Sequence, residues 1–233
     1  MRDKLQVMSK IVVLIPARGG SKGIPGKNIK EFDGKPLLLH SIEYAQDCNL
    51  IDDVYVTTDD KKIIDIVIDA GASVIKRPKE LSDDTATTES AIEHFLNKVQ
   101  TSIKTIVLLQ PTSPLRPKGS LKSALEKFNK GNFDSILSIS PTHRFFWRIK
   151  DDETAYAEYD YLNRPRRQDL TKDDMRFIEN GSLYIFSRSH FEKQGDRLGG
   201  KIGYVEWPEE YSYELDTPLD WEILENINKQ LKS

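Results

Sequence analysis

Short apolar runs alternate with stretches of helical periodicity along most of the chain. The runs that predict strands are continuous and apolar or β-branched, as in strands buried on both faces of a sheet. They cover residues 11–15, 54–58, 73–76, 105–109 and 135–139. Between them, apolar residues at helical spacing predict helices over 37–45, 61–70, 91–99 and 121–128. Strands that alternate with helices form βαβ units, so the pattern predicts an α/β fold, Rossmann-like, with a mostly parallel sheet and helices on both faces.

The alternation stops over residues 141–180. This stretch has no clean periodicity and is rich in aromatic side chains, namely Phe145, Phe146, Trp147, Tyr156, Tyr159 and Tyr161. A predicted strand over 181–186 and a C-terminal helix over about 221–231 restore the regular pattern. We interpret residues 1–233 as one domain, with 141–180 as a small inserted subdomain that serves as a dimerisation surface or a lid.

Two short polar patterns predict where helices begin. Thr87 or Thr88 is placed to cap the third predicted helix. Near the C-terminus, Thr217 reads as an N-cap, Pro218 as the first helical residue and Asp220 as the acidic third one. This capping pattern needs no function to explain it, but it leaves Asp216 unexplained.

Composition narrows the class of protein. The 34 Lys and Arg residues against 37 Asp and Glu leave a net charge of −3, which argues against a nucleic-acid partner. The single cysteine, Cys48, has no partner for an internal disulfide, and the four histidines show no metal-ligand spacing. The first ten residues contain no apolar signal segment, and the longest apolar runs are far below the roughly 18 residues of a membrane span. These features predict a cytoplasmic protein with no membrane partner.

A glycine-rich loop over residues 18–28 directly follows the first predicted strand. It contains four glycines and the cations Arg18, Lys22 and Lys27. Glycine lets backbone N–H groups approach oxyanions, and the cations neutralise them. In open α/β sheets, ligands bind outside these strand ends. The loop therefore predicts a phosphate-binding site.

Two better-known phosphate loops do not fit this segment. The glycine spacing departs from G-x-G-x-x-G, and a Walker A motif would need glycine at Ser21 and a hydroxyl at Asn28. A surface loop without a ligand is the alternative interpretation. In that case the three cations would repel one another with no anionic partner.

Seven motifs along the chain carry a resemblance to a known family. They are Ile15–Gly23 with Lys27-Asn28, Val56–Asp59, Arg77-Pro78 with Leu81–Ala86, Leu109–Arg116, Arg164–Asp169, Glu179–Gly181 and Glu214–Pro218. In this order and spacing the chain resembles the acylneuraminate cytidylyltransferases, the CMP-N-acetylneuraminic acid synthetases, with the CMP-Kdo synthetases as more distant relatives. The resemblance implies a nucleotidyltransferase fold and a cytoplasmic homodimer formed through residues 141–180.

The resemblance also implies a reaction. The anomeric hydroxyl of a nine-carbon 2-keto acid sugar, an N-acylneuraminate, attacks the α-phosphate of CTP, and Mg²⁺ assists. The products are the CMP-sugar and pyrophosphate. Alternatives are an enzyme for a related acid (legionaminic acid, another nonulosonic acid or Kdo) and a non-catalytic nucleotide-sensing protein of the same fold.

By the same resemblance, site residues fall into four groups. The catalytic residues are Arg18, Lys27 and Asp216. The nucleotide-binding residues are Ala17, Arg18, Gly19, Gly20, Ser21, Lys22, Asn28, Arg77 and Ser82. The sugar-binding residues are Gln110, Arg166 and Asn180, and the Mg²⁺ ligands are Asp216 and Glu214.

Some of these residues also have simpler interpretations. Arg166 fits a solvated basic stretch that faces nearby aspartates, and Asn180 with Gly181 fits a turn before a strand. Glu214 stands where the family often has the shorter Asp. Some bacterial members carry Arg two residues before the Asn-Gly pair, where this chain has Ile178, so the chain looks closer to the animal-type sialic acid enzymes.

Overall fold

The computed structural model describes residues 10–100, 102–171 and 174–232. The expectation about a leader falls largely on residues 1–9, outside the described part. The strands are β1 (Lys10–Pro16), β2 (Glu31–Phe32), β3 (Lys35–Pro36), β4 (Asp53–Thr58), β5 (Ser73–Lys76), β6 (Ile103–Leu109), β7 (Ser135–Thr142), β8 (Trp147–Ile149), β9 (Ala155–Ala157), β10 (Arg176–Ser187) and β11 (Ile202–Glu206). The helices are α1 (Leu37–Gln46), α2 (Lys61–Asp69), α3 (Thr88–Lys98), α4 (Ser120–Gly131), α5 (Arg188–Gln194) and α6 (Pro218–Lys232).

Seven strands form the central sheet, in the order β11-β7-β10-β6-β1-β4-β5. All neighbours are parallel except β10, which runs antiparallel to both β6 and β7. The predicted α/β fold with a mostly parallel sheet is thus confirmed. From β1 the chain moves to β4 and β5 on one side and later to β6 on the other, so the strand order reverses between β1 and β6. A reversal of this kind opens a crevice at the carboxyl ends of the strands, where ligands bind in such folds.

The core has two layers, one on each face of the sheet. Val13 and Ile15 of β1 point into one layer, which is covered by α1, α2 and α4. Val12 and Leu14 point into the other, which is covered by α3 and α5. Because β1 is buried on both faces, its sequence is a continuous apolar run rather than an alternating one.

Both predicted helix starts have the expected caps. The Thr87 hydroxyl accepts a hydrogen bond from the Ser90 N–H at 3.1 Å, so Thr87 caps α3 and Thr88 is its first residue. At α6 the Asp220 carboxylate accepts from the Thr217 N–H at 2.6 Å, and the Asp220 N–H donates to the Thr217 hydroxyl at 3.3 Å. This reciprocal pair fixes the backbone immediately after Asp216.

The segment between β7 and β10 contains the short hairpin of β8 and β9. The flanking strands are longer than the sequence pattern predicts, since β7 continues to Thr142 and β10 already begins at Arg176. We call the intervening residues 143–175 the insertion. In β10 the register against β7 shifts between Glu179 and Tyr184, so Asn180 and Gly181 lie in a bulge inside the strand rather than in a turn before it.

Among the described residues, no helix is both long and apolar enough to cross a membrane.

Candidate active site

A cavity of about 350 Å³ opens at the carboxyl ends of β1 and β6, where the strand order reverses. Nine predicted site residues line it, namely Arg18, Gly20, Ser21, Lys27, Asn28, Arg77, Gln110, Glu214 and Asp216. A larger cavity of about 460 Å³ lies at the insertion, away from the glycine-rich loop. We place the candidate site in the smaller cavity, because the loop cations and two carboxylates converge there.

The glycine-rich loop is folded against the C-terminal segment that carries Asp216. The Asn28 side chain donates a hydrogen bond to the Arg18 carbonyl at 2.9 Å, which closes the loop on itself. A Cβ atom at Gly23 would lie 2.0 Å from the carbonyl oxygen of Asp216. Only glycine fits this approach, so the loop and the Asp216 segment can face one cavity.

Lys27 joins the same two segments through its charge. Its ammonium group donates to the Leu215 carbonyl at 2.5 Å and to the Asp216 carboxylate at 3.2 Å. Lys27 therefore lies beside the proposed metal ligand and lines the cavity with its cationic end.

Arg18 and Lys22 reach an acidic pair across the loop. The Arg18 guanidinium donates to the Asp83 carbonyl at 2.7 Å and pairs with the Asp84 carboxylate at 2.9 Å. Lys22 pairs with the same carboxylate at 2.7 Å, but its side chain is 80% exposed and is not among those lining the cavity. Of these two cations Arg18 lines the cavity and Lys22 does not, and both have an anionic partner in Asp84.

Arg77 is the most unusual cation of the cavity. The residue is 6% exposed, and within the described part of the chain no hydrogen bond or ion pair reaches its guanidinium. Burial lowers the pKa of Arg77, and repulsion by Arg18 adds to this, while the Asp59 carboxylate acts in the opposite direction. A buried cation without a paired anion is costly, so this site is suited to an anionic ligand.

Three predicted nucleotide-binding residues support the backbone instead of lining the cavity. Ala17 is buried and its N–H donates to the Thr57 carbonyl at 3.0 Å. The Gly19 N–H donates to the Asp59 carboxylate at 3.0 Å, and the Ser82 hydroxyl donates to the Pro78 carbonyl at 3.1 Å. Direct nucleotide contacts by these three residues stay predictions.

Glu214 and Asp216 form a carboxylate pair at one side of the cavity. Gly181, at φ +64°, lies directly against Glu214, because a Cβ at that glycine would be 2.6 Å from a Glu214 carboxylate oxygen. Burial raises the pKa of Glu214 to about 7, and the negative charges of Asp216 and Glu179 contribute, against a smaller opposing effect of Lys27.

This pair fits a divalent cation. Mg²⁺ is commonly held by one or two carboxylates together with substrate phosphate oxygens, and a cation would relieve the repulsion by Asp216 that adds to the effect of burial on the Glu214 pKa. Among the described residues there is no cluster of three or more acidic, His or Cys ligands. The assignment of Glu214 and Asp216 as the Mg²⁺ ligands stays a prediction.

The raised pKa predicts a pH-dependent stability. In the unfolded chain Glu214 titrates near its ordinary value of 4.5, and in the folded chain near 7. The folded state thus binds the extra proton, and its stability falls as the pH rises from about 5 to 8. The Glu214→Gln variant should escape this loss, so its melting temperature without ligand should exceed that of the wild type at pH 8 by more than at pH 5. A constant difference across this range, or the same behaviour in the exposed control Glu222→Gln, would contradict the assignment.

The three predicted sugar-binding residues lie in different places. Gln110 lines the cavity directly after β6. Asn180 is fully buried, with its amide oxygen accepting from the Ser138 hydroxyl at 2.5 Å and its amide nitrogen donating to the Ser140 hydroxyl at 3.3 Å. Its side chain stabilises the β10 bulge and is not among those that line the cavity, so contact between Asn180 and a sugar stays a prediction.

Arg166 lies in the insertion, outside the cavity. Its exposed guanidinium pairs with Asp169 at 2.6 Å, three residues along the chain. This contact agrees with the simpler interpretation, in which Arg166 belongs to a basic stretch that is exposed to solvent and faces nearby aspartates. Arg166 is not among the residues that line the cavity of its own chain. Contact between Arg166 and a sugar therefore stays a prediction.

Six other residues line the cavity without having been predicted, namely Pro16, Ala86, Thr87, Thr88, Pro111 and Thr112. The sequence pattern accounts for Thr87 and Thr88 only as helix-capping residues. Their position at the start of α3, immediately after the acidic pair that contacts Arg18, brings them to the cavity. The sequence signal that could have identified them as cavity residues is their position directly after the motif Leu81–Ala86.

Sequence comparison with known proteins identifies a family and several relatives of this chain. The sequence pattern of a family described as Cytidylyltransferase matches residues 12–232. The chain is 38% identical over 219 residues to an N-acylneuraminate cytidylyltransferase of Oncorhynchus mykiss, covering 92% of this chain and 49% of that protein. It is 35% identical over 228 residues to a pseudaminic acid cytidylyltransferase of Campylobacter jejuni, covering 94% of this chain and 97% of that protein. The chain thus spans about half the length of the first relative and nearly all of the second.

Solved structures show the same fold at low sequence identity. A CMP:2-keto-3-deoxy-manno-octonic acid synthetase complexed with CTP superposes with a TM-score of 0.71 at 19% identity, covering 96% of this chain and 100% of that one. A 4-diphosphocytidyl-2C-methyl-D-erythritol synthase from Anaerococcus prevotii superposes with a TM-score of 0.65 at 14% identity, covering 97% and 99%. These structures confirm the nucleotidyltransferase fold. Together with the sequence match across nearly all of the chain, they lead to one conclusion: the chain belongs to the cytidylyltransferase family.

Proposed function

We propose that this chain transfers CMP from CTP to a nonulosonic acid, an N-acylneuraminate in the first instance, and releases pyrophosphate. The observation that carries the proposal is Arg77, a buried cation for which the described part of the chain supplies no paired anion and which lines the same cavity as Glu214 and Asp216. A cavity lined by several cations together with two carboxylates that could hold a divalent cation is suited to a nucleoside triphosphate. The names of the relatives support CTP as the nucleotide and a nonulosonic acid as the acceptor.

The chemistry requires positioning and charge neutralisation more than a nucleophilic side chain. The anomeric oxygen of the sugar acid bonds to the α-phosphorus, its hydroxyl proton passes to water, and the bond between the α-phosphorus and the pyrophosphate oxygen breaks. Arg18, Lys27 and Arg77 bind the phosphates and neutralise the charge that moves to the leaving pyrophosphate. Gln110, which lines the cavity directly after β6, orients the acceptor. When bound at Glu214 and Asp216, Mg²⁺ would supply further charge neutralisation.

The relatives of this chain include enzymes named for two different nonulosonic acids. Relatives that act on different nonulosonic acids have similar identity to this chain, at 38% for the N-acylneuraminate enzyme and 35% for the pseudaminic acid enzyme. The test is product analysis by mass spectrometry after incubation with CTP, Mg²⁺ and, separately, N-acetylneuraminic, legionaminic and pseudaminic acids and Kdo. A CMP ester of N-acetylneuraminic acid supports the first choice, and a CMP ester of another acid alone replaces it. Intact CTP binding with no product from any acid would favour the nucleotide-sensing alternative.

We also propose that the insertion forms a homodimer. It exposes large apolar side chains to a high degree. Ile149 is 73% exposed and Leu162 is 79% exposed, and Trp147 is exposed as well. Apolar patches of this kind mark interaction surfaces.

The substitution Ile149→Asp is expected to weaken a dimer by about 100-fold or more, because it buries a charge at the centre of an apolar contact. Light scattering after size-exclusion chromatography should show a dimer for the wild type and a monomer for the variant. The matched control is Ile68→Asp, since Ile68 is similarly exposed on α2, and it should remain dimeric. A monomeric wild type, or a dimer that Ile149→Asp leaves intact, would contradict the proposal.

A further inference from the structure

Arg197 is the centre of a polar cluster that none of the roles above uses. It lies after α5, and its guanidinium donates to the Glu89 carboxylate in the first turn of α3. The same guanidinium lies 3.9 Å from the Glu179 carboxylate of β10. Its carbon atom lies 4.5 Å from the centre of the Tyr184 ring, and the Tyr184 hydroxyl donates to Glu179. One cation therefore contacts two carboxylates and an aromatic ring from two different elements.

The cluster is more protected than an ordinary surface ion pair. The Arg197 side chain is 21% exposed, and Tyr184 is buried. Exposed ion pairs contribute little because water screens them, whereas partly buried pairs with several partners are screened less. Burial, together with the Glu179 charge, raises the pKa of the Tyr184 hydroxyl, which keeps that hydroxyl a hydrogen-bond donor.

Of the two elements that Arg197 joins, α3 contributes to the cavity wall and β10 lies against the Glu214 carboxylate. Glu89 directly follows Thr87 and Thr88, both of which line the cavity. Glu179 directly precedes the β10 bulge, where Gly181 lies against the Glu214 carboxylate. A small movement of α3 relative to β10 would therefore change the distance between the cavity wall and the carboxylate pair.

We infer that Arg197 is a positioning residue, which fastens the first turn of α3 to β10 and thereby fixes Thr87 and Thr88 relative to the Glu214–Asp216 pair. It acts through Glu89 and Glu179 and needs no contact with substrate. Its effect on turnover rests on the proposed function, while its effect on the first turn of α3 does not. Misplacement of groups around a reacting centre by about 1 Å is enough to slow a reaction about 100-fold.

The first test is hydrogen exchange of the ligand-free protein. In Arg197→Ala, amides of residues 88–92 should exchange at least about 10-fold faster than in the wild type, because the first turn of α3 loses its link to β10. Arg197→Lys keeps a cation for Glu89 and should restore most of the protection. The control is Arg188→Ala, which removes an ion pair with Glu192 inside α5 and should leave α3 unchanged. Unchanged exchange in Arg197→Ala would overturn the fastening role.

The second test is kinetic and uses the same variants. For Arg197→Ala, kcat is expected to fall by about 10-fold or more, while the dissociation constant for CTP changes by less than about twofold, because Arg18, Lys27 and Arg77 are untouched. Arg197→Lys should recover most of kcat. An unchanged kcat in Arg197→Ala, in a preparation shown to be folded, would overturn the positioning role. If the wild type itself makes no product with any acceptor, the proposed function fails, while the exchange experiment still decides whether Arg197 fastens α3.

Discussion

Replacing Asp216 by Asn is expected to lower turnover by about 100-fold or more and to leave CTP binding largely intact. The substitution keeps the size of the side chain but removes the charge that would hold Mg²⁺ beside the phosphates. Loss of one preorganised electrostatic contact in a transition state costs on the order of 3 kcal/mol, which is about 100-fold in rate. Binding should survive, because Lys27 retains its hydrogen bond to the Leu215 carbonyl and Arg77 is unaffected.

The measurement is the rate of pyrophosphate release at saturating CTP and sugar acid, with CTP binding followed separately by calorimetry. Glu222→Gln is the control, because it removes an exposed carboxylate of the adjacent helix α6 and should behave as the wild type. Turnover that Asp216→Asn leaves unchanged would contradict the metal assignment. A complete loss of CTP binding would instead show that Asp216 is needed to organise the loop through Lys27.

Replacing Arg77 by Met is expected to weaken CTP binding by about 10- to 100-fold and to make the ligand-free protein more stable. The first effect follows because hydrogen bonds from a charged donor contribute about 1.5–3 kcal/mol, and among the described residues the buried Nε atom of Arg77 has no hydrogen-bond partner. The second follows because an unpaired buried cation is replaced by an apolar side chain of similar length. At this chain length a gain of about 1 kcal/mol corresponds to roughly 2–4 °C in melting temperature.

Arg116 provides the matched control for this pair of effects. It is also buried, and burial lowers its pKa to about 10. Its guanidinium, however, donates to the Ser41 hydroxyl at 3.0 Å and to the Gln110 carbonyl at 2.8 Å. Arg116→Met should therefore destabilise the protein, since it leaves those acceptors without a donor. Equal destabilisation by both substitutions, with CTP binding unchanged in Arg77→Met, would contradict the role of Arg77.

Much of the fold could be predicted because its signals are local. The apolar run of β1 is continuous since that strand is buried on both faces, and the caps at Thr87 and Thr217 are short patterns with one physical meaning each. The antiparallel direction of β10 and its bulge could not be predicted in this way. They depend on pairing with β6 and β7, which are distant in sequence.

The candidate site likewise combines features that could be predicted from the sequence with features that could not. The glycine-rich loop could be identified because its glycines and cations are contiguous and follow a strand. The lack of a paired anion at Arg77 could not, because it depends on how distant segments bury that side chain. Asn180 stands in a conspicuous motif, but the surroundings of its side chain could not be predicted either. The fold buries this side chain between Ser138 and Ser140, where it holds the β10 bulge. Sequence alone does not distinguish a polar side chain that contacts a ligand from one that supports the residue that does.

Pyrophosphate release from CTP and Mg²⁺, measured with and without each sugar acid of the panel, tests the proposed function most directly. The proposed function predicts release that depends on one nonulosonic acid, with one pyrophosphate formed for each CMP-sugar. Release that needs no sugar acid would indicate simple hydrolysis and would contradict transfer to an acceptor. If CTP neither binds nor reacts, the assignment of the cavity formed by Arg18, Lys27 and Arg77 as a triphosphate site is wrong.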